Sequence, residues 1–209
     1  MKANKLPGAL RAASCVAVFA LVAGCGILPK REPTAVFEPT PAAVAAHSEW
    51  PQAHWSLLVA RPLASGMLDS DSIAVRPPNG AITVYKAAAW TDTAPELVQA
   101  ALMRHFEDSG RILSVARPGS GVRGEYSLQT ELRAFESVYA GANRPEAQVE
   151  IYAKLVSTSS GEVVAARSFR ETQAASTEDV PRVAEAFGAA LARASDAIVG
   201  WTLENGNRK

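Results

Sequence analysis

A chain of 209 residues is long enough for one ordinary domain with a leader and a linker. Its composition, 48% apolar and 20% charged, supports a packed core and excludes wholesale disorder. The 21 basic and 21 acidic residues cancel and the basic ones are scattered, which removes any electrostatic case for binding nucleic acid.

Residues 1–24 read as a secretory leader: a positive start (Lys2, Lys5, Arg11), an apolar run AASCVAVFALVA over 12–23, then small residues. As a helix that run reaches about 18 Å, short of the ~30 Å hydrocarbon core, so it is not a spanning helix. The run closes on Val22-Ala23-Gly24-Cys25, which resembles the bacterial lipobox. Small residues admit a peptidase that cuts before the cysteine, and the sulfur is the nucleophile that takes the lipid. Val22 stands where the pattern prefers leucine, with Leu21 one residue further out. The resemblance implies lipidation of Cys25, with acyl chains of the palmitate kind. Cleavage would leave 18 basic against 21 acidic residues and Cys25 as the sole cysteine, so no disulfide, cysteine nucleophile or cysteine metal site is expected. Gly26 follows, not the aspartate that retains enteric lipoproteins in the inner membrane, which points to the periplasmic face of the outer membrane.

Residues 25–50 carry the lipid site and then Pro29, Pro33, Pro39 and Pro41 among small residues, a pattern that predicts an extended tether. In polyproline geometry such a stretch reaches about 75 Å. The folded domain is expected over 51–205. Its strands are predicted at HWSLLVARP (54–62), SIAVRPP (72–78) and AITVYKA (81–87), the last two joined as a hairpin through Asn79-Gly80. Thr93-Ala94-Pro95-Glu96 has capping-box form and opens a helix with Leu97, Ala101, Leu102 and Phe106 on one face, stopped at Ser109-Gly110.

ILSVARP (112–118) is the next strand. YSLQTELRAFE (126–136) alternates, with Tyr126, Leu128, Thr130, Leu132 and Ala134 inward; AQVEIYAKLV (147–156) does the same, and EVVAARSFRE (162–171) returns after a turn. A helix over 180–203, with Asp179 as N-cap and Pro181 in its first turn, carries an apolar stripe from Val183 through Phe187, Leu191 and Ile198 to Trp201. The order β-β-β-α-β-β-β-β-α predicts an α+β fold, a mostly antiparallel sheet with two helices packed on one face.

The sequence offers little chemistry. His47 falls in the tether, His54 at a strand start and His105 at a helix surface or boundary, and none has a metal-ligand partner at a useful spacing. GSGVRG (119–124) lacks the lysine and helix of a phosphate loop. Glu131 and Glu136, five apart on one strand, are expected on opposite faces. No catalytic residue, metal or cofactor is predicted, and the protein is not expected to be an enzyme. Trp90 is placed at the helix entry and Trp201 in the core. Trp50 and Trp55 flank the junction of tether and domain, as core residues or as contacts for a partner.

From about Leu57 to Trp201 the chain resembles the ABC-type transport auxiliary lipoproteins that accompany paraquat-inducible and Mce-type lipid transport systems. The likeness rests on ITVYKAAAWTDTAPELVQAALMRHFEDSGRILSV (82–115), YSLQTELRAFES (126–137) and VVAARSFRETQAAS (163–176) with the closing helix. Only Lys86 to Ala89 separate Tyr85 from Trp90, shorter than the family leads one to expect. The resemblance implies an accessory role: docking an inner-membrane ABC transporter and an Mce-domain protein at the outer membrane, with self-association left open. A lipoprotein that carries lipid in its own pocket, and an envelope hydrolase with an unrecognised site, are the alternatives.

Overall fold

The structure is a computed structural model that describes residues 33–40, 47–141 and 144–207. The chain divides into two units, 1–33 and 34–209, and the fold below is that of the second. The leader and Cys25 lie outside the described residues.

Among the described residues, nine strands and two helices follow in the order β1 (Ala35–Phe37), β2 (Ala53–Val59), β3 (Leu63–Ala64), β4 (Ser72–Arg76), β5 (Thr83–Trp90), α1 (Ala94–Asp108), β6 (Ile112–Ala116), β7 (Tyr126–Val138), β8 (Glu146–Ser157), β9 (Val163–Ala174) and α2 (Val180–Gly206). The thirteen-residue β7 organises the sheet. One edge pairs antiparallel with β8 along its whole length, and β8 pairs antiparallel with β9. The other edge takes three short strands in succession, all parallel: β2 at Tyr126–Leu128, β3 at Glu131–Leu132 and β4 at Glu136–Val138. Beyond them, β6 joins β2, while β5 and then β1 continue from β4.

The sheet is therefore mixed, not mostly antiparallel, and β1 and β3 stand in addition to the expected order. Alternation along β7 and β8 correctly marks one buried face, but it says nothing of strand direction. The better signal is in β2 and β4, whose centres (LLV, IAV) are apolar without clean alternation, the pattern of parallel strands covered on both faces. The β4–β5 hairpin forms as expected through a six-residue loop, with Gly80 at φ +79° and the Asn79 side-chain oxygen accepting from the Ala81 N–H.

Helix α1 packs on β2, β6 and α2, and α2 packs on β7, β8 and β9. Tyr126, Leu128, Thr130 and Leu132 of β7 and Ala147, Val149, Ile151, Ala153 and Leu155 of β8 are all buried. A bulge at Arg133 then shifts the β7 register. Phe135, not Ala134, takes the next inward place, where its ring meets Trp90 (5.7 Å) and Phe187 of α2 (4.8 Å). The same bulge brings Glu131 and Glu136 to one face, opposite Tyr152 and Gln148 of β8, contrary to the simple alternation rule. Glu136 is buried and receives a two-pronged contact from Arg76, 2.7 and 2.9 Å.

The capping box at α1 does not close. Thr93 occupies the N-cap without a side-chain bond to the helix. Arg61 instead donates to Glu96 (2.7 Å) and to the Thr93 hydroxyl (3.2 Å), so the pair tethers the helix start to the loop after β2. The stop at Ser109-Gly110 forms, with Gly110 at φ +61°. His105 is fully buried, its Nδ1 bonded to the Ala101 carbonyl at 2.9 Å, and is neither a surface nor a boundary residue. In α2, Asp179 is the N-cap residue by backbone conformation, and its side chain accepts from the Thr177 hydroxyl.

Candidate functional site

The residues read as tether do not all stand away from the domain. Ala35, Val36 and Phe37 pair in parallel with Ala88, Ala89 and Trp90 at the sheet's edge. A three-residue edge strand is the one kind that a proline-rich segment supports. Glu38 and Pro39 then lie against α1 beside Leu97, Ala101 and Arg104.

From there the chain meets α2 at a series of points that climb the helix together with it. The Thr40 backbone passes over Gly188, so close that a Cβ there would sit 2.4 Å from its carbonyl oxygen. His47 reaches Asp196, its Nε2 2.9 Å from one carboxylate oxygen and 3.0 Å from the other. Trp50 rests on Gly200, and Trp55, already in β2, rests on Gly206 at the helix end. The described residues 33–40 and 47–52 thus form an arm on the domain. Gly188 and Gly200, inside the helix, each cost about 1 kcal/mol against alanine; close approach of another chain segment is what they and the terminal Gly206 make room for. That was the one signal of the arm in the sequence.

His47 is the polar centre of the arm. Its Nδ1 lies 2.7 Å from Glu49 Oε1, and its ring stacks on Trp50 at 3.9 Å with a 13° tilt. The hydrogen bond to Glu49, reinforced by Asp196, holds the imidazole pKa above its ordinary value against the opposing effect of burial. Glu49 is held below the ordinary carboxylate range, first by its own backbone N–H and then by His47.

The two indoles expected at the junction are placed differently. Trp55 is buried; its Nε1–H donates to the Asn207 side chain at 3.0 Å and its ring meets the Tyr126 ring edge-on at 5.0 Å. A cavity of about 360 Å³ opens beside this pair, rimmed by His54, Ser157 and Asn207. Trp50 is half-buried between His47 and Gly200. Trp201 is likewise half-buried and meets Phe169 at 5.6 Å, while Trp90 lies in the core among Phe135 and Phe187.

A second polar cluster lies at the far end of β7, where the Tyr85 hydroxyl meets those of Ser137 (3.1 Å) and Tyr139 (3.3 Å). Burial, then the hydrogen bond to Tyr85, raises the Tyr139 pKa. Beside it, the β4–β5 register shifts between the pairs Ala74–Val84 and Ser72–Ala89, and Ala87, within that part of β5, takes φ +52°. Among the described residues there is no group of three or more His, Cys, Asp or Glu side chains able to hold a metal ion, and no helix long and apolar enough to cross a membrane.

Comparison with known proteins places this architecture. The chain is similar to a Xanthomonas campestris protein of known crystal structure, 40% identical, with a TM-score of 0.80 over 84% of this chain and 98% of that one. A second solved structure, of an uncharacterised protein 11% identical, shares the fold at a TM-score of 0.60 over 80% and 97% of the two chains. An uncharacterised protein of Bradyrhizobium diazoefficiens is 28% identical over 148 residues, 71% of this chain; the chain spans 39% of that protein's length. A family model described as the ABC-type transport auxiliary lipoprotein component matches residues 37–199, from the end of β1 to the last turns of α2. This chain belongs to the ABC-type transport auxiliary lipoprotein component family.

Proposed function

We propose that this protein is a non-catalytic lipoprotein, acylated at Cys25 and held on the periplasmic face of the outer membrane, that docks an Mce-type ABC lipid transport system there. The observation that carries the reading is a family domain over 37–199 behind a leader ending in Val-Ala-Gly-Cys. Each half of that pair has a physical consequence. A cysteine bearing more than one acyl chain gives durable anchoring, at about 0.8 kcal/mol per buried CH₂. An anchored domain acts by bringing a partner to one bilayer, which requires surfaces and not a reactive centre. The partners are an Mce-domain protein and the ABC permease and ATPase that drive it.

The test is cross-linking in the living cell followed by purification of this chain from membranes. Recovery of an Mce-domain protein with its ABC components is the expected result. Recovery of other envelope machinery alone would overturn the docking role while leaving the anchor intact.

A further inference from the structure

The arm is fastened to α2 by a ring that needs both of its protons. Each nitrogen of His47 faces a carboxylate at hydrogen-bond distance, Nδ1 to Glu49 at 2.7 Å and Nε2 to Asp196 at 2.9 Å. A carboxylate only accepts, and a neutral imidazole has a single N–H. Both contacts are therefore attractive only for the imidazolium; remove one proton and a ring lone pair faces a carboxylate oxygen at under 3 Å. The groove around the ring is also lined by Glu204 of α2, which favours the charge, and by Arg167 of β9, which opposes it and lies over the Phe169 ring at 5.0 Å. Trp50 is coupled to the same group, since its indole stacks on the imidazole and covers Gly200. A cation on an aromatic face is held more tightly than a neutral ring.

We propose that His47 is a pH-operated latch: protonated, it clasps residues 47–50 onto α2, and on losing a proton it lets this stretch lift away and uncover the helix from Asp196 to Gly200. The sign follows from the pairing. The docked imidazole binds its proton more tightly than a free one, so the clasp is at full strength below the ordinary value of about 6.5. It is lost as the pH rises through the higher, docked value. Mild acid closes the latch and alkali opens it. With the latch open, the arm keeps its β1 pairing with β5 and the Thr40 crossing at Gly188. The inference concerns the arm and α2 alone, and holds whether or not an Mce-domain protein is the partner.

The experiment is amide hydrogen exchange of the full chain, corrected for intrinsic rates, between about pH 5.5 and about pH 9, with the histidine ring protons followed by NMR over the same range. Protection of residues 47–50 should fall as His47 titrates, above the value of a free histidine, while α2 amides facing the core stay protected. His47→Gln should leave 47–50 poorly protected at every pH. Asp196→Asn should move the fall to lower pH, and the unchanged core amides would show that either variant is folded. Equal protection of 47–50 at both ends of the range, or a wild-type pH profile in His47→Gln, would overturn the latch.

Discussion

At the scale of single residues, the tightest constraints are those where one segment lies on another. Gly206 has Trp55 against it, and a Cβ there would come within 2.3 Å of the indole. Gly206→Ala should displace Trp55, break its bond to Asn207 and cost about 1–3 kcal/mol in urea denaturation. Ala87 poses the opposite case. It holds φ +52° without being glycine, and it is exposed. Because the left-handed region costs a Cβ-bearing residue roughly 1–2 kcal/mol, Ala87→Gly should hold or raise the melting temperature, whereas Ala87→Val should lower it. His105 shows where residue-level reading of the sequence ends. A histidine within an amphipathic helix gives no sign of depth, and here its carbonyl partner one turn back satisfies it inside the core.

At the scale of elements, α2 joins two parts of the molecule that are distant in sequence. Its apolar stripe covers β8 and β9, and the glycines spaced along it receive the arm. Phe187 is fully buried and sits between Trp90 and Phe135, so Phe187→Ala should cost about 3–5 kcal/mol by thermal or chemical unfolding, with little loss of helix content in the folded fraction. The two long helices and the strands β7, β8 and β9 were legible because their apolar spacing repeats over enough residues to fix a period. Strand direction, β1 and β3 were not. Two- and three-residue strands have no period, and their pairing is decided by strands far along the chain, β5 for β1 and β7 for β3. The Arg133 bulge is invisible for a similar reason: one extra residue in β7 moves every later side chain to the other face, and only the partner strand reveals it. The arm was misread as free linker because proline excludes regular structure but does not exclude docking. Trp50 and Trp55 were singled out by residue type, whereas the pairing of His47 with its carboxylates, one of them 149 residues away, was not foreseen.

For the whole molecule, the proposed anchor at Cys25 makes the docked arm a limit on reach. If the domain begins at Thr34, eight residues separate Cys25 from it, a span of at most about 25 Å even fully drawn out in polyproline form. Undocking the arm as far as β2 would raise the limit to about 80 Å. Cys25→Ser should leave the folded domain intact, with the same melting temperature, but shift it from the membrane to the soluble fraction and abolish incorporation of labelled palmitate. Retention in the membrane after that change would refute the anchor.

The position of β7 bears on how the chain is made. β2, β3 and β4 are synthesised first, yet the strand that aligns them ends only at Val138, and their contacts close long loops. Loop closure of that length makes assembly slow and late. Within the first 125 residues β1, β5 and β4 can pair with one another and β2 can pair with β6, but the strand that joins the two groups is still to come. If the proposed leader takes the chain through a membrane pore before it folds, completion of the sheet waits on β7, and that wait is written into the order of its strands.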